Sequence, residues 1–463
     1  MGITAGIMVP HPPLIIPEVG RGEERTIIKT IEAYREAAAF VADSAPDTVV
    51  VISPHSTLYG DYFHISPGKR ASGSFARFGA PTVSLSVDYD EEFVRELEAA
   101  AANTGLAAGR LGERNRELDH ATLVPLHFLA EACGGIKAKV VRAALSGLSL
   151  AEHYRLGMLI KETSERLGRR TAVIASGDLS HQLKEDGPYG FNPSGPLYDE
   201  RIMAVMGNGD FGELFNFSEG FCDSAGECGH RAFVIMAGCF DGTAVEAKRL
   251  SYEGPFGVGY GVCTFHAAGP DEKRRLLAEF AEKERRELAA LKEKEDAYVR
   301  LARAAVEAYV TGGEKIAVPA GLPEEMLSHR AGTFVSLKKE GRLRGCIGTI
   351  APTTPSVAAE IINNAVSAAA ADPRFDPVEK EELAKLVYSV DILGETEKID
   401  SAAELDVKRY GVIVTKGSRR GLLLPNLEGV DSVEEQISIA KQKAGIGAND
   451  KVQLERFEVV RHH

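Results

Sequence analysis

Two short runs, Thr48-Val49-Val50-Val51-Ile52 and Thr171-Ala172-Val173-Ile174-Ala175, carry no polar residue after their opening threonine. A strand with one face in water alternates apolar and polar side chains, so a run without alternation is covered on both faces. Strands of this kind belong to parallel sheets held between layers of helices. Strand-like stretches at 4–9 and 139–143 and helical patterns at 23–43, 91–103, 123–132 and 150–167 alternate with these runs along the chain. The first part of the chain is therefore expected to be an α/β domain, a mainly parallel sheet flanked by helices.

Ligands bind to such sheets beyond the carboxyl ends of the strands. Three histidines fall there. His11 ends the first stretch in Val9-Pro10-His11-Pro12-Pro13, where the prolines restrict the backbone on both sides of it. His55 follows the second in Ser53-Pro54-His55-Ser56, and His181 closes Ser176-Gly177-Asp178-Leu179-Ser180-His181. His120 opens a helical pattern behind Asp119, a good N-cap. Glu227 lies in a Gly-flanked turn before the apolar helical pattern at 232–240, where a carboxylate also suits the helix dipole.

Two imidazoles and one carboxylate make the facial set of non-haem Fe(II) oxygenases, which leaves positions open for substrate and dioxygen. His11, His55 and Glu227 supply that set. His120 and His181 then remain as catalytic acid/base groups, since imidazole titrates near neutral pH. Asp119 and Asp178 are either orienting partners of the neighbouring histidines or simply a cap and a turn residue.

The early histidine in the PHPP run, the SPHS turn, Asp119-His120 before a helix, the SGDLSH turn and Glu227-Cys228-Gly229-His230-Arg231 occur in this order within 1–267. Together they resemble the catalytic subunit of class III extradiol ring-cleavage dioxygenases (LigB) and the related Memo proteins. The resemblance implies Fe(II) on His11, His55 and Glu227, a catechol-like small-molecule substrate, His120 assisting protonation or dioxygen activation, and His181 orienting a substrate hydroxyl. Memo-type members carry a cysteine near the third ligand. Cys228 is thus the alternative to Glu227, and a thiolate there suits a softer, redox-active metal such as copper. A zinc hydrolase on the same ligands is a further reading.

Residues 268–296 are dense in Glu, Lys and Arg and read as a charged helical linker. From 297 to 463 strand-like and helical stretches alternate in a pattern expected for a second, α+β domain. It resembles the AMMECR1 domain through Leu343-Arg344-Gly345-Cys346-Ile347-Gly348, Asp372-Pro373-Arg374-Phe375-Asp376 and Lys416-Gly417-Ser418-Arg419-Arg420-Gly421. Cys346 beside Arg344 invites a nucleophile reading; a packed cysteine in a glycine-built turn is the expectation preferred here. The two domains in one chain resemble the AmmeMemoRadiSam system protein A fusion, which implies a radical-SAM protein as partner. A Memo-like metal or redox partner without ring cleavage is therefore the alternative to a dioxygenase.

The charge balance, 67 acidic against 54 basic residues, argues against a nucleic-acid surface. No uninterrupted apolar run is long enough for a membrane span. Six scattered cysteines without a CxxC fit a reducing, cytoplasmic setting. A homo-oligomer is left open.

Overall fold

The computed structural model describes residues 2–339, 341–427 and 429–463 and divides into two compact units, Met1–Glu282 and Lys283–His463. The first unit contains, in order, β1 (Ile3–Val9), α1 (Ile28–Asp43), β2 (Thr48–Ser53), a hairpin of β3 (Arg70–Phe75) and β4 (Ala80–Asp88), α2 (Glu91–Thr104), α3 (His120–Cys133), β5 (Lys139–Ala144), α4 (Leu150–Arg166), β6 (Thr171–Ser176), α5 (Ser194–Asn208), α6 (His230–Cys239), β7 (Thr243–Glu253) and β8 (Tyr260–Pro270). Six of these strands form one sheet in the order β5-β2-β6-β1-β8-β7. The first four run parallel, and β8 and β7 add an antiparallel edge.

The unbroken apolar runs are explained by two separate cores. Val49, Val51, Ala172 and Ile174 point to one face, where α1 and α3 pack, while Val50, Ile52, Val173 and Ala175 point to the other, packed by α2, α4 and α6. All six residues of β2 and all six of β6 are buried. The expected α/β class with a mainly parallel sheet is what the chain adopts. Three details differ from the sequence reading. The pattern at 23–43 is a 3-10 turn, Glu23–Ile27, followed by α1. The residues from Phe256 to Phe265 alternate in sequence like a strand, which in the structure begins later, as β8, and its hairpin partner β7, whose residues are mostly half-buried, has too weak an apolar pattern to stand out.

A charged helix, Leu276–Lys294, follows with no fully buried residue. The second unit holds α7 (Ala297–Gly312), β9 (Thr333–Lys339), β10 (Arg342–Gly348), α8 (Val357–Ala370), β11 (Leu386–Leu393), β12 (Glu397–Ile399), β13 (Gly411–Lys416), β14 (Arg419–Leu423), α9 (Val433–Lys443), β15 (Gln453–Phe457) and β16 (Val459–His462). Its strands form two antiparallel sheets, β10-β9-β11-β16 and β12-β15-β13-β14. Among the described residues no helix is long and apolar enough to cross a membrane.

Candidate metal centre

β1, β6 and β2 are neighbours in the sheet, so the segments leaving their carboxyl ends start side by side. His11 is 2% exposed, and its backbone N–H donates to Asp178 Oδ1 at 2.7 Å. The Tyr34 hydroxyl donates to the Pro10 carbonyl at 3.0 Å, fixing the proline-bounded turn from the side of α1. His11 Nδ1 hydrogen-bonds the Ser176 hydroxyl at 3.1 Å, which turns Nε2 into the cleft. His55 Nε2 stands 3.1 Å from that nitrogen.

His120 comes to the same place from the start of α3. Asp119 caps this helix by accepting the Thr122 N–H at 3.0 Å, and it also accepts the Ser53 hydroxyl at 2.6 Å. The cap is thus tied to the end of β2, and the His120 ring stacks on His55 with centroids 4.5 Å apart. Asp119 is therefore both a cap and an orienting residue. Among the described residues, one group of His, Cys, Asp and Glu donors has all its ligand atoms within 4.8 Å of one another: His11, His55 and His120.

Burial, followed by the neighbouring His55, lowers the pKa of both His11 and His120. Neutral imidazole is the form that ligates metals. With the proton on Nδ1 in both rings, the two Nε2 atoms 3.1 Å apart turn their lone pairs toward one point. Nitrogens held about 2 Å from one ion stand only a little farther apart than this. The donor set fits a metal ion.

Glu227, the expected third ligand, lies outside this group of three histidines. Its Oε2 accepts the His230 N–H at 2.5 Å, capping the start of α6, and burial pushes its pKa up to about 7. The next residue, Cys228, turns its sulfur toward His11. Cys228 Sγ lies 3.7 Å from His11 Nε2 and accepts the Asp178 N–H at 3.3 Å. Two glycines bring these turns together, because a Cβ on Gly177 would stand 2.1 Å from Gly229 Cα. Burial, then Asp178 and Glu227, hold the Cys228 thiol well above its usual pKa, so the free sulfur keeps its proton.

His181 lies at the rim of the same cleft. It is near enough for Asp178 to raise and His55 to lower its pKa, although burial, which lowers it, has the largest effect. Its ring packs against Tyr189 with centroids 5.0 Å apart. Next to His55 and His120 a cavity of about 600 Å3 opens, lined further by Arg77, Phe78, Asn115 and Asp119. Arg77 and Phe78 come from the β3–β4 turn and carried no sequence signal.

A mainly parallel sheet with three histidines gathered at its carboxyl edge defines the first unit as an α/β domain with a histidine-rich centre. The chain belongs to the family of the catalytic LigB subunit of aromatic ring-opening dioxygenases, which matches residues 5–263, and it carries an AMMECR1 domain at residues 299–462. The fusion read from the sequence motifs is therefore present. A protein of Clostridium acetobutylicum is 41% identical over 470 residues, spanning 100% of this chain and 99% of its own length. A protein of Thermotoga maritima is 53% identical over 167 residues, covering 36% of this chain and 96% of its own. The crystal structure of an uncharacterized protein from Pyrococcus horikoshii is 34% identical and covers 36% of this chain and 90% of its own, with a TM-score of 0.35.

Proposed function

We propose that the first unit holds a redox-active metal ion on His11, His55 and His120, with the Cys228 sulfur reaching it from beside His11, and serves a radical-SAM-associated modification system as a Memo-like partner. The observation that carries this reading is the Cys228 sulfur 3.7 Å from His11 Nε2, next to the three histidines. Thiolate and imidazole together favour copper, and iron is compatible. When bound, such an ion supplies Lewis acidity and one-electron redox change. The chain itself holds the His11 ring through Ser176 and its backbone through Asp178, keeps the first histidine buried, and leaves the His55–His120 side open to a small molecule. His181 would hold or move a proton on that molecule. Anaerobic loading with copper should give one ion per chain and an intense thiolate-to-metal absorption that Cys228→Ser abolishes. A loaded protein with no sulfur contribution to its spectrum would overturn the reading.

A second reading, Fe(II)-dependent extradiol cleavage of a catechol, is favoured by the cavity beside His55 and His120, which is large enough for a single aromatic ring. Iron-loaded protein given catechols and air should then form a coloured ring-opened product, lost in His55→Ala. Iron-loaded protein that leaves every catechol intact rules this chemistry out.

A further inference from the structure

The second unit carries a thiol with chemistry of its own. Sequence reading places Cys346 in a tight turn next to Arg344, but Leu343 to Gly348 lies within a strand, β10, at the edge of its sheet. Gly345 is there because the Ala368 carbonyl of α8 presses on it: a Cβ would meet that oxygen at 2.2 Å. Arg344 is occupied by Glu382, at 3.0 and 2.8 Å.

The cation at the cysteine is Arg374. Its Nη2 donates to the Cys346 carbonyl at 3.1 Å and to Asp372 Oδ2 at 2.7 Å, and Asp372 in turn accepts the Cys346 N–H at 2.8 Å. This closed ring fixes the strand at Cys346 and leaves the guanidinium half exposed beside the sulfur. The raised pKa of Arg374, due first to Asp372, includes contributions from Cys346. Lys443, at the end of α9, senses both groups: burial lowers its pKa most, Cys346 raises it and Arg374 lowers it. Ser336, directly across the ladder on β9, donates to Cys346 Sγ at 3.2 Å.

The face is also the right one for a cleft. Val335 and Leu337 point into the core under α7 and α8, whereas Phe334, two residues before Ser336, packs with Ile413, Leu422 and Phe457 of the other sheet. Ser336 and Cys346 therefore sit on the face turned toward the second sheet and α9. Side chains from β9, β10, α9 and the segment after α8 converge there on a half-buried, free thiol.

We propose that Cys346, Arg374 and Lys443 form a second reactive site, which bonds covalently to an activated carbon of a small anionic substrate held by the two cations. The sulfur would supply the electron pair of the new S–C bond, the leaving group would depart with the pair of the bond it breaks, and the thiol proton would pass to solvent. Arg374 and Lys443 would hold the substrate's negative charge.

The test compares alkylation of the full-length protein by iodoacetate, an anion, and iodoacetamide, its neutral counterpart, with each cysteine followed by peptide mass spectrometry. Exposed Cys133 is the internal reference. The iodoacetate-to-iodoacetamide rate ratio at Cys346 should exceed that at Cys133 by about tenfold, as expected where Arg374 and Lys443 outweigh the one carboxylate, Asp372, and concentrate an anion. It should fall toward the Cys133 value in Arg374→Gln and in Lys443→Gln, and it should survive in Arg374→Lys. Because Arg374 also ties Asp372 to the strand, Lys443→Gln tests the charge from a separate element. Equal ratios at the two cysteines, an unreactive Cys346, or a preference that survives both neutral variants would overturn the proposal.

Discussion

Asp178 binds His11 through its side chain, accepting the His11 N–H at 2.7 Å, while its own N–H donates to Cys228 Sγ at 3.3 Å. One residue therefore sets both the backbone of the first histidine and the position of the sulfur. Partners of this kind orient ligands without touching the ion, and their loss costs about 10–100-fold in metal affinity. Asp178→Ala should weaken metal binding by that much in a competition titration against a chelator. Asp178→Asn, which keeps an acceptor for the His11 N–H, should retain most of the affinity. Equal losses in both would show that the charge matters and the hydrogen bond does not.

Glu227 and Cys228 are adjacent in sequence and differ in task. Glu227→Gln keeps an acceptor for the His230 N–H, so metal stoichiometry should stay at the wild-type value and stability should change by less than about 1 kcal/mol. His11→Ala and His55→Ala should both lose the metal, and Cys346→Ala should not. Elemental analysis of the purified variants checks all four. Metal loss in Glu227→Gln alone would return the carboxylate to the centre.

This pair also marks where sequence reading reached its limit. The sheet class was legible because strands covered on both faces leave a strong pattern, as in 48–52 and 171–175. The histidines were legible because each ends such a strand or starts a helix. Which of two consecutive residues faces the cleft was not, because that depends on the Gly177–Gly229 approach, a contact between segments far apart in the chain. The same holds for Arg374 at Cys346: the nearer arginine in sequence, Arg344, is engaged by Glu382, and strand pairing decides which cation remains.

Glu382 gives a pH dependence to the second unit. Burial alone would raise its pKa, but the Arg344 guanidinium, the Glu379 N–H and the Lys339 ammonium outweigh that and hold it at about 2, below the ordinary 4.5. A depressed carboxylate pKa stabilises the fold above the unfolded value. The contribution, on the order of 2–3 kcal/mol, is complete above about pH 5 and fades as pH falls toward 2. Hydrogen exchange of the β9 amides in the full-length protein should be faster in Glu382→Gln than in wild type at pH 7. That difference should shrink as the pH is lowered toward 3, and a difference independent of pH would contradict the assignment.

Arg142, on β5, is 2% exposed and governs the loop that forms one wall of the cavity. Its Nε donates to Ser66 Oγ at 2.7 Å, Nη1 to the Glu117 carbonyl at 2.7 Å and Nη2 to the Asn115 carbonyl at 3.1 Å, with Glu113 and Asp119 each 3.7 Å away as counter-charges. A planar fork serves these partners at once, which a lysine ammonium cannot do. Arg142→Met would leave two carboxylates and two carbonyls without their cation in a buried setting, a loss of about 3–5 kcal/mol in a denaturant titration. Arg142→Lys should restore less than half of it. Because Asp119 caps the helix that begins at His120, both variants should also weaken metal binding while leaving the Cys346 alkylation ratio unchanged. A variant destabilised to this extent that binds metal as wild type does would show that the loop and the metal centre are independent.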